Sequence, residues 1–417
     1  MNQMKTQRGN LWRLGAVCLL LSGAIPAIAQ RLTWLGTGNQ PISRAQDVAD
    51  NGTVVGYLEG TTGFSPYTAF VWTRERGLEP IGGSSATTAS IARTISQDGT
   101  TVLLQTGRYL QQQLPYLWRR NTGAQLVNFP PGVPWALGAQ MSRDGSTVVG
   151  MLQTPRGTWR AFRWKNGVAQ LLDTTNQNDW SGWAACVSAD GEIVAGNAQR
   201  ANSGEVYLFR WTADNGWEDL GNIPLGGWII PYAMSADGET TVGAVDTPNF
   251  GRQPFYWKRE TGIQLIPTPP GAQGAAYSVS SDGTVIVGAV FLSDSSAFAF
   301  LWTEAAGLQN LNQQYASLLE DGSTLLTCDA ISPNGRYLAG AGYNASTGRY
   351  EAYLLDTQAP PPPQGDVDGD GCVNDADLLT VLFNYGDFGT GDVNRDGIVD
   401  DADLMIVLLN FGNGCSD

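Results

Sequence analysis

Short apolar runs rich in β-branched and aromatic residues alternate with polar turns from residue 31 to residue 357, and the alternation repeats. The clearest signal is Ser-x-Asp-Gly followed by a β-branched run: Ser96-Gln97-Asp98-Gly99, Ser142-Arg143-Asp144-Gly145, Ser188-Ala189-Asp190-Gly191, Ser235-Ala236-Asp237-Gly238 and Ser280-Ser281-Asp282-Gly283. Degenerate copies stand at Asp50-Asn51-Gly52 and Pro333-Asn334-Gly335, and the seven turn glycines fall 47, 46, 46, 47, 45 and 52 residues apart. An aromatic-x-Trp signal, or a close variant, keeps the same beat at Trp72, Trp118, Trp164, Trp211, Trp257 and Trp302. Two signals locked in phase mark repeated structural units.

Each unit reads as four strands. Asp-Gly and Asn-Gly adopt the positive φ angles of tight hairpins, so the Ala-x-x-Val/Ile-Ser run before the turn pairs with the Thr-Val-Val-Gly run after it. A third strand carries Ala-Phe-x-Trp, as in Ala161-Phe162-Arg163-Trp164, and a fourth carries Gly-Leu-x-x-Leu/Ile-Gly, as in Gly77 to Gly82. Four short strands are the content of one propeller blade. The last unit stops after Ala352-Tyr353-Leu354-Leu355, and Leu32-Thr33-Trp34-Leu35-Gly36 matches the pattern it lacks. The expected fold is an all-β seven-bladed β-propeller of four-stranded blades over residues 30–357, its last blade closed by the N-terminal strand.

These repeats resemble the extracellular HAF-repeat family, named for a His-Ala-Phe motif that this chain carries without the His, as Thr68-Ala69-Phe70 and Arg160-Ala161-Phe162. The resemblance implies a secreted repeat domain and names no substrate.

A Pro-rich linker over residues 358–364 precedes a tail of different chemistry. Residues 365–417 hold twelve Asp and one Arg, so -11 of the chain's formal charge of -15 lies there. Asp366, Asp368, Asp370, Cys372, Asn374 and Asp377 occupy positions 1, 3, 5, 7, 9 and 12 of a calcium loop, and Asp392, Asn394, Asp396, Ile398, Asp400 and Asp403 those of a second loop, 26 residues later. Ca²⁺ takes six to eight oxygens; here Cys372 and Ile398 offer backbone carbonyls, and position 9 acts through water. Two Ca²⁺ ions are the expected cofactors. Each loop runs into an apolar helix, and the faces Leu378, Val381, Leu382, Tyr385 and Leu404, Val407, Leu408, Phe411 are expected to pack together.

The tandem loops, with Asp rather than Glu at position 12, resemble a type I dockerin. The resemblance implies a small α-helical calcium module over residues 365–417 and a cohesin-like protein or a cell-surface component as partner. The chain departs from that pattern at Asp375-Ala376 and Asp401-Ala402, where dockerins commonly carry hydroxyl residues, and in its short connector. In a pseudo-twofold helix pair the end of the second helix returns towards the first loop, so a Cys372–Cys415 disulfide is expected in an exported protein. Cys186 and Cys328 are expected to be buried free thiols.

Export is read from the start of the chain. Lys5, Arg8 and Arg13 precede an uncharged stretch that ends Ala27-Ile28-Ala29, a secretory signal over residues 1–29. The stretch is too short to span a bilayer, and a secreted, monomeric protein is expected. With no His in 417 residues, Ser-His-Asp, Cys-His and imidazole-zinc chemistry are excluded. The acidic balance argues against nucleic acid. The repeated aspartates read as turn formers. A catalytic carboxylate pair would have to come from Glu59, Asp173, Asp179, Glu205, Asp219, Asp246, Asp294 or Glu320. The loops between blades carry Trp135, Trp180, Trp183 and Trp228, whose flat faces suit sugar rings. The resulting expectation is a secreted, non-catalytic binding or scaffold protein whose propeller presents a carbohydrate surface and whose tail docks to a partner. The alternative is an enzyme of polysaccharide degradation, a glycoside hydrolase or lyase.

Overall fold

The structure, a computed structural model, describes residues 29–60, 67–81, 88–108, 111–172, 180–200, 203–224, 226–249, 251–359, 363–369 and 371–415. The signal segment before Ala29, Pro360 to Pro362 of the linker, Asp173, Asp179 and the calcium-loop residue Asp370 lie outside the described residues. The chain divides into two compact units, one of Gln30–Ala359 and one that contains Pro360–Asp417.

The larger unit is an all-β propeller. Five of its sheets are four-stranded antiparallel blades, over residues 88–126, 135–171, 180–221, 229–265 and 273–310. The remaining strands overturn the expected count of seven separate four-stranded blades. Thr324–Ile331, Tyr337–Asn344, Arg349–Ala359 and Ala29–Trp34 share one eight-stranded sheet with Ile42–Val48, Val54–Glu59, Thr68–Thr73 and Gly77–Pro80. Ala29–Trp34 pairs with Arg349–Ala359, and the Leu35 N–H reaches Ala352 O. Beyond that point the edge is left to Ile42, which forms a parallel bridge with Tyr350 and fuses the two halves.

The repeat motifs have local causes. Ser96 Oγ donates to Asp98 Oδ1 at 2.6 Å, Asp98 accepts the Thr100 N–H, and Ser96 Oγ accepts the Thr101 N–H. The Ser-to-Asp bond recurs at Asp144, Asp190, Asp237 and Asp282. The serine hydroxyl is the main cause that holds Asp98, Asp190 and Asp282 below the usual carboxylate range. Backbone bonds then pass from turn to turn: Asp50 N to Gln97 O, Gln97 N to Arg143 O, Asp144 N to Ala189 O, Ala189 N to Ala236 O, Ala236 N to Ser281 O and Ser281 N to Pro333 O. Asn334 N donates to Asp50 Oδ1 at 2.7 Å and completes the belt.

The glycine of Thr-Val-Val-Gly is a packing requirement. A Cβ on Gly196 would stand 2.0 Å from Trp183 O and 2.6 Å from the Phe209 ring, and Gly150, Gly243 and Gly288 are confined in the same way by Phe162, Phe255 and Phe300. Those phenylalanines, from Ala-Phe-x-Trp, are fully buried. Beside each glycine position the inner strand skips one residue in register, at Gln46, Arg93, Ala139, Ala185, Tyr232, Tyr277 and Asp329. Such β-bulges re-aim a side chain. The repeated tryptophans are core: Trp211 packs with Val149 and Ala161 of the preceding blade. Cys186 and Cys328 are buried and free, and burial pushes both thiols up.

Among the described residues of the propeller a short α-helix, α1 (Leu311–Gln314), is followed by a 3-10 turn over Ala316–Leu318. The smaller unit corrects the expectation of an α-helical dockerin-like module. Among its described residues the helices are α2 (Asp375–Phe383) and α3 (Asp401–Leu409), nine residues each, and the rest is turn and loop. Its core is Val373, Val381, Val399 and Val407, with Val367, Leu378, Val393 and Leu404 packed around them. Every member has a counterpart 26 positions away. The backbone repeats the relation: Val373 pairs with Gly412 and Asn413, and Val399 with Gly386 and Asp387. Cys372 and Cys415 are joined by a disulfide, with their Cα atoms 4.4 Å apart. Helices this short turn few residues inward. Leu382, Tyr385, Leu408 and Phe411, expected in the packed faces, are 46% to 49% exposed.

Candidate functional sites

Of the four interblade tryptophans, Trp183 and Trp228 line one cavity, and Trp135 does not. Trp135 opens the strand Trp135–Met141, and its ring meets Trp159 edge to face at 5.2 Å. Trp159 and Trp183 line a cavity of about 230 Å³ together with Trp228, Met151 and Val206. Trp228 is 46% exposed, so the cavity opens to solvent past an aromatic face. The backbone of Trp180 pairs with Gln199 at the same end of the blade, and its side chain lies outside the described residues. Gly182 belongs to the wall for a steric reason, because a Cβ there would fall 1.4 Å from Asn197 O. Asn197 and Gln199 supply the polar edge; their amide N–H groups donate to Ile229 O and Gly204 O, which leaves the amide oxygens as acceptors. The indole N–H groups of Trp135 and Trp183 are enclosed and find no acceptor among the described residues.

Trp159, Met151, Val206, Asn197 and Gln199 were missed from the sequence. A signal existed for two of them. Trp159 and Val206 stand three residues before Phe162 and Phe209, the position at which the third strand leaves the loop.

Most of the described non-repeat carboxylates are engaged by arginines or turns, and Glu320 is exposed. Glu59 faces Arg44 at 3.5 Å, Glu205 and Asp219 share Arg200, Asp246 faces Arg252 at 2.9 Å, and Asp294 accepts the Ser296 N–H. These are arginine pairs and a turn bond. One unanticipated acid stands apart. Desolvation pushes the carboxyl of the partly buried Asp329 up to about 6 against the pull of Thr327 and Arg44.

In the tail, carboxylate oxygens of Asp366, Asp368 and Asp377 lie within 4.8 Å of one another. Oxygen donors grouped this closely are of the type that a hard cation such as Ca²⁺ takes. Asn374 caps α2 through the Ala376 N–H, while Asp377 accepts the N–H groups of Val367, Asp368 and Asn374. Asp400 and Asp403 repeat this at α3. At Asp403 burial raises the carboxyl, but the N–H groups of Asp400, Asn394 and Val393 together outweigh it and hold it low. The second loop is drawn in on itself: Asp392 accepts the Asp396 and Gly397 N–H groups, and Asn394 turns its Nδ2 onto Asp396. The Ile398 N–H donates to Asp396.

No family model and no curated protein matches this sequence. Among solved structures, the chain is similar to an oligogalacturonate lyase in complex with manganese, at 12% identity and a TM-score of 0.52, over 79% of this chain and 94% of that one. It is also similar to TolB from Acinetobacter baumannii, at 15% identity and a TM-score of 0.44, over 75% of this chain and 65% of that one. At these identities the likeness is one of fold, a β-propeller. No helix among the described residues is long and apolar enough to cross a membrane.

Proposed function

We propose that this is an exported propeller protein that binds carbohydrate in its tryptophan cavity and docks to a partner protein through a calcium-loaded tail. The observation that carries the reading is the convergence of Trp159, Trp183 and Trp228 on one cavity edged by the amide oxygens of Asn197 and Gln199. Flat apolar faces beside a few amide acceptors fit the alternating C–H faces and hydroxyl rims of sugar rings. Export rests on the signal read over residues 1–29. In the tail, Asp366, Asp368 and Asp377 would hold calcium, with Asp370, Asn374 and the Cys372 carbonyl completing the first loop and Asp392, Asn394, Asp396, Ile398, Asp400 and Asp403 forming the second. Bound Ca²⁺ would neutralise carboxylates that otherwise repel one another. The apolar residues Leu379, Leu382 and Phe383, and their counterparts Met405, Leu408 and Leu409, are exposed and supply the docking contact.

A glycan array probed with the calcium-loaded full chain tests the sugar reading. The wild type should retain a defined glycan class, and Trp183→Ala or Trp228→Ala should weaken retention about tenfold, the loss of one stacking contact. Retention of no glycan by the wild type removes carbohydrate as the ligand.

A further inference from the structure

We propose that the cleft between the blades of residues 88–126 and 135–171 is a second binding site, for a small hydroxylated carboxylate, with Arg119 as its anchor. This inference is independent of the carbohydrate reading, because it uses none of the tryptophan-cavity residues.

Three blade junctions carry a cation at the same place in the repeat. Arg119, Lys165 and Lys258 each follow a repeated tryptophan, Trp118, Trp164 and Trp257. At two of these junctions the next blade answers the cation with a glutamate. Glu192, which follows the turn glycine Gly191, pairs with Lys165 and also with Arg163, the latter at 2.8 Å. Glu304, two residues after Trp302, pairs with Lys258 at 3.4 Å. At the junction of Arg119 both of these acid positions are neutral: Ser146 follows Gly145, and Asn166 stands two residues after Trp164. The side-chain bond that Arg119 makes among the described residues runs from Nε to Thr101 Oγ1 at 3.0 Å, and no acid among them lies within ion-pair distance.

The missing glutamates leave space as well as charge. A cavity of about 400 Å³ opens at this junction, and Arg119, Ser146 and Asn166 all line it. Leu117, at the position of Arg163, gives it an apolar wall, and Gln125 and Asn128 add amide groups. Trp164 also lines it, and its indole N–H is enclosed without an acceptor among the described residues. Asp144 borders the cleft, but its carboxylate is taken up within its own turn, by Ser142 Oγ at 2.5 Å and by the N–H and hydroxyl of Ser146 at 2.9 and 2.8 Å.

A ligand carboxylate would stand where Glu192 and Glu304 stand at the other junctions, and the terminal nitrogens of Arg119 offer the paired donors that carboxylate geometry matches. Arg119 is only half-buried, and an ion pair so placed contributes little alone. The amides of Gln125, Asn128 and Asn166 must therefore add bonds to ligand hydroxyls, which favours a hydroxy acid over a bare carboxylate.

Titration calorimetry of the full chain at low salt tests the site with acetate, lactate, glucuronate and N-acetylglutamate α-amide, the last standing for an acidic protein side chain. Lactate or glucuronate should bind saturably and at least about threefold more tightly than acetate and the glutamate amide. Arg119→Gln should weaken that binding by about tenfold or more. Ser146→Glu supplies the acid that Glu192 supplies next door and should abolish binding, while the propeller's melting temperature holds or rises. The turn accepts that residue, because Glu192 and Glu239 keep the N–H bond to the turn aspartate that Ser146 makes. Arg259→Gln, whose partners Glu218 and Glu239 belong to another junction, should bind as the wild type does. No saturable binding of lactate or glucuronate overturns the site, as does wild-type affinity in Arg119→Gln or in a folded Ser146→Glu. Equal weakening by Arg259→Gln would reduce it to general charge attraction, and tightest binding of the glutamate amide would overturn a small acid as the ligand.

Discussion

The two units solve the same problem, holding a short-period repeat together, with opposite resources. The propeller spreads its stability over many equivalent contacts: a fully buried Phe in each of several blades, a Ser-Asp turn repeated down the chain, and a hydrogen-bonded belt through the turns. The tail repeats its own unit at an interval of 26 residues, yet its core is four fully buried valines. A unit of that size cannot bury enough apolar surface to order itself on core alone. The disulfide and the acidic loops are what the small unit has in place of depth.

The sharpest way to break this comparison is to remove the tail's fasteners. The Cys372–Cys415 bridge spans 43 residues, for which chain entropy gives about 4 kcal/mol. Cys372→Ser with Cys415→Ser, measured with excess chelator, should unfold the tail while the propeller's melting transition stays in place. Calorimetry that shows one shared transition moving with both treatments would mean that the two units are not energetically separate.

The converse experiment strikes the propeller at one glycine. Gly196→Ala drives a methyl against Trp183 O and the Phe209 ring, a clash of the overpacking kind that costs about 3 kcal/mol. The propeller transition should fall and calcium binding by the tail should be unchanged. Wild-type stability in Gly196→Ala would show that the bulge and its glycine are not coupled.

What was legible in the sequence follows from what a repeat encodes. Asp98 and its equivalents read as turn formers because Ser-x-Asp-Gly is a local hydrogen-bonding unit, complete within five residues. The Phe and Trp positions read as core because each blade presents the same face to the next. The sheet count was misread because a repeat counts turns, whereas a sheet is defined by bridges such as Ile42 to Tyr350, which join residues 308 positions apart and leave no periodic trace. Trp135, Trp183 and Trp228 were visible as departures from the repeat, but Asn197 and Gln199 were not, since nothing local distinguishes a wall amide from a strand amide. Asp329 escaped for the same reason: it stands at a shift in strand register that the repeat does not mark.

The smallest expected effect separates two kinds of acid within the propeller. Asp329 has its carboxyl raised to about 6 in the fold, so the native state binds more protons than the unfolded chain between about pH 4 and pH 6. Stability contributed by its neutral form is present below the unfolded value and is lost as pH rises through the folded one. Asp98, Asp190 and Asp282 are lowered and act the other way, stabilising above the unfolded value and failing as pH falls through their depressed values. Asp329→Asn keeps a neutral group beside Thr327 and removes the first slope alone. Urea melts of the propeller transition should show the variant more stable than the wild type by about 1 to 3 kcal/mol at pH 7.5 and nearly equal to it at pH 4. A variant whose advantage is the same at both pH values would mean that Asp329 is strained for a reason other than its charge.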